Sequence, residues 1–128
     1  MILPRGMRLG RFKMKLIDIK DKFENSTLAI STIKENKPHT IFIIYPKIVD
    51  NQIIITNNYM KTTIENLKIN PNICLAFFEG EKGWRINGKA KHYSSGKWLE
   101  FVKKLKENEG FSPKGALVID VEEIKELG

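Results

Sequence analysis

IIITNNYMKTTIENLKINP, residues 53–71, begins as a β-branched apolar run, Ile53-Ile54-Ile55, and breaks at Thr56-Asn57-Asn58. Asparagine tolerates left-handed backbone angles and closes turns with its own side chain, so a strand is expected to end there. Thr62-Thr63-Ile64-Glu65 has the form of a capping box, with Thr62 at the N-cap and Glu65 three residues on. That pattern predicts a short helix beginning at Thr63. The first turn of such a helix presents unpaired N–H groups and the positive end of its dipole. Lys61 adds an ammonium and the two threonines add hydroxyl donors, a set that suits a phosphate. A capping box needs no ligand to justify it, and most lysines are simply solvated. These residues alone leave the anion reading and the structural one both open.

Totals bound what the stretch can belong to. At 128 residues, 41% hydrophobic and 29% charged, the composition is that of one soluble globular domain with a real core. No apolar run approaches the ~20 residues that a membrane helix needs. The N-terminus has arginines but no continuous apolar segment of secretory type, so no leader is expected. The sole cysteine, Cys74, sits in the apolar run NICLAFF, where it reads as a buried small hydrophobe. One cysteine makes no internal disulfide, which fits a reducing, cytoplasmic location.

The formal charge of +7 raises a nucleic-acid reading, and its distribution weakens it. Residues 1 to 15 hold Arg5, Arg8, Arg11, Lys13 and Lys15 and no acid, leaving 17 basic against 15 acidic side chains in the rest. Residues 1–13 are therefore expected to be a basic, disordered extension, with Met7 and Met14 as alternative starts, and residues 14–128 the folded domain.

Along that domain, Leu16, Ile17, Ile19 and Phe23 recur at helical spacing and predict a short amphipathic helix ending near Asn25. TLAISTI and HTIFIIY read as strands joined by a turn over residues 34–38, the second stopping at Pro46. Asp50-Asn51 makes the next turn. Beyond Pro71, ICLAFFE is a fully apolar strand suited to burial, and WRINGKAKHY alternates as a half-buried strand. Gly88 inside it marks a bulge, a bend or a close backbone approach. Ser94-Ser95-Gly96 opens a helix whose Trp98, Phe101, Val102 and Leu105 share a face, the segment ending around residues 108–110. GALVIDVEEIKEL closes as an apolar strand and an acidic tail. Six short strands mostly joined by hairpins, with two or three small helices, imply a mainly β fold, a closed antiparallel barrel.

Familiar reaction chemistry is absent. His39, His92 and Cys74 are scattered without ligand spacing, so no metal site is expected. There is no nucleophile elbow, Walker loop or dinucleotide fingerprint, so any chemistry needs a cofactor. Trp84 reads either as barrel-edge packing or as an aromatic plate for a ring ligand, and Trp98 as helix packing.

The order STLAISTIKENKPHTIFIIY, IIITNNYMKTTIENLKINPNICLAFFE, GWRINGKAKHY, GALVIDVEEI resembles the FMN-binding split-barrel family, that of pyridoxamine 5'-phosphate oxidase-like flavoproteins. The likeness covers about residues 16 to 125, and its most diagnostic part is Ile53 to Pro71. It implies a six-stranded antiparallel Greek-key split barrel that forms a homodimer and holds FMN at the subunit interface. By position, Lys61 and Thr62 match the residues that grip the FMN phosphate. Phe42, Ile43 and Ile44 would run beside the flavin ring, and Ile55, Thr56 and Asn57 would close its other side. Gly83, Trp84 and Arg85 match a segment contributed by the partner subunit. An apolar slot with a few fixed donors is what a flavin needs.

The departures count as well. In the oxidase an arginine precedes the phosphate-binding lysine, where this chain has Met60, and its C-terminal Arg and His segment is replaced here by VEEIKELG. An FMN-dependent oxidoreductase or electron carrier, with an unidentified redox partner or small substrate, is thus expected rather than a true pyridoxamine phosphate oxidase. Relatives holding deazaflavin F420 or haem define the alternatives. An oligonucleotide-binding barrel is the competing class, motivated by the basic leader and by Trp84, Tyr59 and Tyr93 read as exposed. The near-neutral body argues against it.

Overall fold

Two tight turns set the registers from which the sheet is assembled. Glu35 and Asn36 sit at φ of 51° and 63°, and Asp50 and Asn51 at 49° and 63°. Two consecutive left-handed residues make a type I′ turn, whose twist matches that of the flanking strands. The first turn joins β1 (Leu28–Lys34) to β2 (Lys37–Ile43), and the second joins β3 (Lys47–Val49) to β4 (Gln52–Asn57). β5 (Asn72–Glu79) and β6 (Lys82–Tyr93) form a third hairpin, turned at Gly80 with φ 61°, and β7 (Gly115–Leu127) completes the set. Helices α1 (Leu16–Glu24), α2 (Thr62–Ile69) and α3 (Lys97–Lys103) punctuate the strands, and a 3-10 turn spans Lys106–Asn108. This computed structural model describes residues 14–127, and the extension expected over residues 1–13 lies outside them.

The strands lie in the order β2-β1-β5-β6-β7-β4-β3, every pairing antiparallel. Ile30 of β1 and Ile53 and Ile55 of β4 join one core with Leu75, Ile86 and Leu117 of the three strands that separate them. Strands so far apart in the order share a core only if the sheet curls into a barrel. α1 packs onto the same core, burying Leu16, Ile19 and Phe23. The Phe23 ring meets Phe77 edge-on, with centroids 5.4 Å apart. Glu24 anchors α1 to β3 by accepting the Ile48 N–H at 2.7 Å, while Lys20 donates to the Ile48 carbonyl at 3.2 Å.

A second, smaller cluster lies outside the barrel, where Leu99 and Val102 of α3 cover Ile54, Ala116 and Val118. β4 and the first half of β7 are thereby buried on both faces, which is why both read as unbroken apolar runs. Trp98 packs with Phe101 beside this cluster, as helix packing requires.

Several expectations need correction. The barrel has seven strands rather than six, because Lys47–Val49 ahead of the Asp50-Asn51 turn pairs with β4. β5 is half-buried rather than fully buried: its residues alternate, and Phe78 is 76% exposed. Cys74 accordingly lies half-buried rather than in the core. α3 ends at Lys103, well short of residue 108, and a separate 3-10 turn follows. The acidic tail is the outer half of β7, ion-paired to β6 through Glu123 and Arg85 at 3.6 Å and Glu122 and Lys89 at 3.2 Å. At Gly88 the expected irregularity is present: the β6–β7 register shifts there, and any side chain would run into the Asp120 carbonyl.

Candidate functional site: a cleft against an uncapped helix

Asn57 controls how the chain leaves β4. Its Oδ1 accepts the Met60 N–H at 2.8 Å, its backbone carbonyl accepts the Lys114 N–H at 2.8 Å, and its Nδ2 faces His92 Nε2 at 3.1 Å. The residue is 3% exposed, so these contacts are made away from water. The turn they close delivers Lys61 to the N-cap position of α2, and Thr62 is already helical. This corrects the expected boundary and cap: Asn57 closes the turn one residue too early for Thr62 to be the N-cap. No side chain caps the helix, and its first internal bond runs from the Glu65 N–H to the Lys61 carbonyl at 3.0 Å. The N–H groups of Thr62, Thr63 and Ile64 therefore lack intrahelical partners, at the positive end of the dipole.

Thr62 and Thr63 of this first turn line a cleft of about 750 Å³ between β2 and the β4–α2 turn. One wall is apolar, formed by Ile41, Phe42, Ile43 and Ile44, and the other carries Thr56, Asn58 and Lys61. The size lies within the usual range for a small-molecule site. A buried acceptor, Asn58 Oδ1, has no protein partner in that wall. An unsatisfied buried carbonyl costs free energy unless a donor meets it, and a ligand N–H would do so. The far end is closed by Glu107, Asn108 and Phe111. Asn108 is held rigidly, donating through Nδ2 to Thr56 Oγ1 at 3.0 Å and to the Val102 carbonyl at 2.7 Å. Glu107 lies 2.7 Å from Lys47 Nζ. Burial raises its pKa, but the Lys47 hydrogen bond, its own backbone N–H and the Lys47 charge together outweigh that and hold it below the ordinary 4.5.

Of the residues singled out from the sequence, Phe42, Ile43, Ile44, Thr56, Lys61 and Thr62 come together on this cleft. Ile55 does not line it, being 2% exposed and packed in the barrel core, and Asn57 stands behind the wall as its support. Gly83, Trp84 and Arg85 lie away from it on β6. Strand alternation turns the Trp84 ring inward, where it is 2% exposed, stacked on Phe77 at 5.0 Å and covered by Lys22. Trp84 is therefore neither exposed nor a plate for a ring ligand, which also removes the strongest aromatic from the oligonucleotide reading. Arg85 points outward to Glu123.

His39, Tyr59, Asn58, Glu107 and Phe111 line the cleft without having been singled out for it. Asn58 was legible as a turn residue, but nothing in the spacing shows that a loop fifty residues downstream closes the same cavity. His92 was also missed. Its pKa is lowered from 6.5, first by burial and then by the nearby Lys68 charge. Among the described residues no cluster of His, Cys, Asp and Glu is arranged to hold a metal ion, and no helix is long and apolar enough to cross a membrane.

Comparison with known proteins agrees with this architecture. An uncharacterized protein of Methanocaldococcus jannaschii is 27% identical over 111 residues, spanning 81% of this chain and 74% of that protein. HupZ of Group A Streptococcus superposes with a TM-score of 0.80 at 26% identity, over 89% of this chain and 94% of that one. An FMN-binding protein from Syntrophomonas wolfei shares the fold, with a TM-score of 0.77 at 15% identity over 97% of this chain and 94% of that one. The sequence profile described as Pyridoxamine 5'-phosphate oxidase matches residues 18–128, from α1 through the last strand. With that match spanning the curled sheet and both sides of the cleft, the chain belongs to the pyridoxamine 5'-phosphate oxidase family of split-barrel proteins.

Proposed function

We propose that the protein is a homodimeric FMN-binding flavoprotein of the cytoplasm that serves as an oxidoreductase or electron carrier. The observation that carries this reading is the continuity of an apolar slot with an uncapped helix N-terminus flanked by Lys61. A flavin mononucleotide has the complementary two-part character, a flat ring and a dianionic phosphate. Lys61, the Thr62 hydroxyl and the free N–H groups of α2 would hold the phosphate. Ile43 and Ile44 would flank the ring, and Asn58 Oδ1 is a ready acceptor for a ring N–H. The FMN-binding relative from Syntrophomonas wolfei supports the choice of cofactor.

The rim of the cleft supports the dimer. Phe42, Ile44, Tyr45 and Tyr59 are all more than half exposed beside it, an apolar surface of the kind a second copy covers. Such a partner would also complete the ring's enclosure. FMN, when bound, supplies the redox chemistry, and this chain's residues bind it, orient it and keep water from it. Oxidation of pyridoxamine phosphate is not part of the proposal, because Met60 stands where the oxidase has an arginine and residues 121–127 are committed to pairing with β6.

The test is a titration of the purified protein with FMN, followed by flavin fluorescence, with deazaflavin F420 in parallel. Saturation by FMN at one molecule per chain is expected. Binding of deazaflavin alone would transfer the site to that cofactor, and binding of neither in either redox state would overturn the reading.

A further inference from the structure

The orientation of the Asn57 amide is set by a neighbour that has no choice. The Met60 N–H is a donor, so the atom 2.8 Å from it must be the amide oxygen, and the amide nitrogen then faces His92 Nε2 at 3.1 Å. An amide nitrogen only donates, so Nε2 must be an unprotonated acceptor and the ring proton sits on Nδ1. The ring cannot easily move to another partner. It packs against bare backbone at Gly115, where any side chain would collide with it, and Gly115 is held in register opposite Asn57 itself.

We propose that His92 is a positioning residue for the cofactor seat: neutral, it locks Asn57 in the orientation that closes the turn to Met60, and protonated, it releases that turn. A protonated Nε2 is a donor and requires the Asn57 oxygen. The amide must then rotate, its NH₂ faces the Met60 N–H, and two donors are left opposed. The turn that delivers Lys61 and the α2 N-terminus to the cleft loses its tie. This inference rests on the FMN reading for its functional consequence, but not for its chemistry.

The surroundings favour the neutral ring. His92 shares a groove with Lys68 of α2, Lys89 and Lys91 of β6, and Asp120 of β7. Asp120 already accepts from Gln52 Nε2 at 2.7 Å, and Lys89 is paired with Glu122 at 3.2 Å. Burial and the Lys68 charge both lower the His92 pKa. Release therefore occurs as the pH falls below 6.5, through the lowered pKa.

The experiment has two arms. Nitrogen-15 NMR of the ligand-free protein at pH 7.5 should show His92 as the Nδ1–H tautomer, with the protection of the Met60 amide, relative to its intrinsic exchange rate at each pH, falling as His92 titrates. An Nε2–H tautomer, or a Met60 amide indifferent to that titration, overturns the proposal. In the second arm, FMN affinity is measured at pH 7.5 and at a pH below the His92 midpoint that the NMR titration gives, in wild type and in His92→Gln, whose amide oxygen accepts without titrating. The phosphate of FMN titrates alike in both, so the difference reads His92 alone. Wild type should lose about threefold to tenfold more affinity than the variant, the worth of one hydrogen bond. Equal losses overturn the coupling to the seat. Should His92→Gln fail to fold, Asn57→Asp replaces it: a carboxylate accepts from both Met60 and a protonated His92, so acid release should vanish, and its persistence overturns the proposal. If no flavin binds, the cofactor reading fails and the NMR arm still decides the switch.

Discussion

The side chain of Asn66 in α2 donates to Thr32 Oγ1 of β1 at 3.1 Å, and both residues are buried. This bond ties the helix that presents the candidate phosphate seat to β1, the strand paired with β2 of the cleft's apolar wall. Replacing Thr32 by valine keeps the shape and strands the Asn66 amide. A loss of about 1–3 kcal/mol in urea unfolding is expected, the cost of an unsatisfied buried donor. Adding Asn66→Leu should recover part of it, because removing both partners removes the unpaired group. A double variant no better than Thr32→Val would place the stabilisation elsewhere.

Among the described residues, Lys61 is the lysine or arginine that lines the cleft, at the mouth of α2. Lys61→Ala should weaken FMN by about tenfold to hundredfold, the usual range for a charge-assisted hydrogen bond. Riboflavin, which lacks the phosphate, should change by no more than about twofold. Parallel titrations check this, and equal losses would remove Lys61 from the phosphate site.

The ion pair between Lys47 and Glu107 ties β3 to the loop at the end of the cleft. The folded Glu107 pKa lies below its ordinary 4.5, so the folded state binds this proton less readily than the unfolded chain. Its contribution to stability is present above pH 4.5 and is lost as the pH falls through the folded value. Glu107→Gln should reduce stability by about 0.5–1 kcal/mol at neutral pH and flatten the pH dependence below 4.5. Denaturant melts of both proteins at pH 7 and at successively lower pH below 4.5 read the difference, which should shrink as the pH falls.

Ile44 sits on the exposed rim of the cleft beside Phe42 and Tyr45. If a second copy covers this rim, Ile44→Glu buries an unpaired carboxylate in the interface, at a cost of about 2–4 kcal/mol. Light scattering should then report monomers at concentrations where wild type is dimeric, and FMN affinity should fall in step. A wild-type monomer, or a variant dimer of unchanged strength, would put the interface elsewhere.

Much of the architecture was legible because it depends on neighbours in sequence. The Asp50-Asn51 turn, the alternation of β6, the bulge at Gly88 and the helical spacing of Leu16, Ile19 and Phe23 are all local patterns. Errors arose where burial is decided by what packs on the outside. Ile53-Ile54-Ile55 and ICLAFFE look equally apolar, yet β4 is covered by α3 and buried on both faces, while Phe78 of β5 is left in water. Lys47–Val49 is too short to announce itself and becomes a strand only because β4 lies beside it.

The sequence by itself determined six of the seven strands, the family resemblance and which residues, Lys61 and Thr62, are candidates for an anion seat, since these signals are local. Tertiary structure alone decided that Trp84 points into the core, that Phe111 and Glu107 close the same cleft as Phe42, and that His92 stands behind Asn57. Each of those facts depends on which distant strands the curl of the sheet brings together. A hydrogen bond across 35 residues, such as that from Asn57 to His92, has no periodicity from which it can be read. Here it determines how the opening stretch, Ile53 to Pro71, is held.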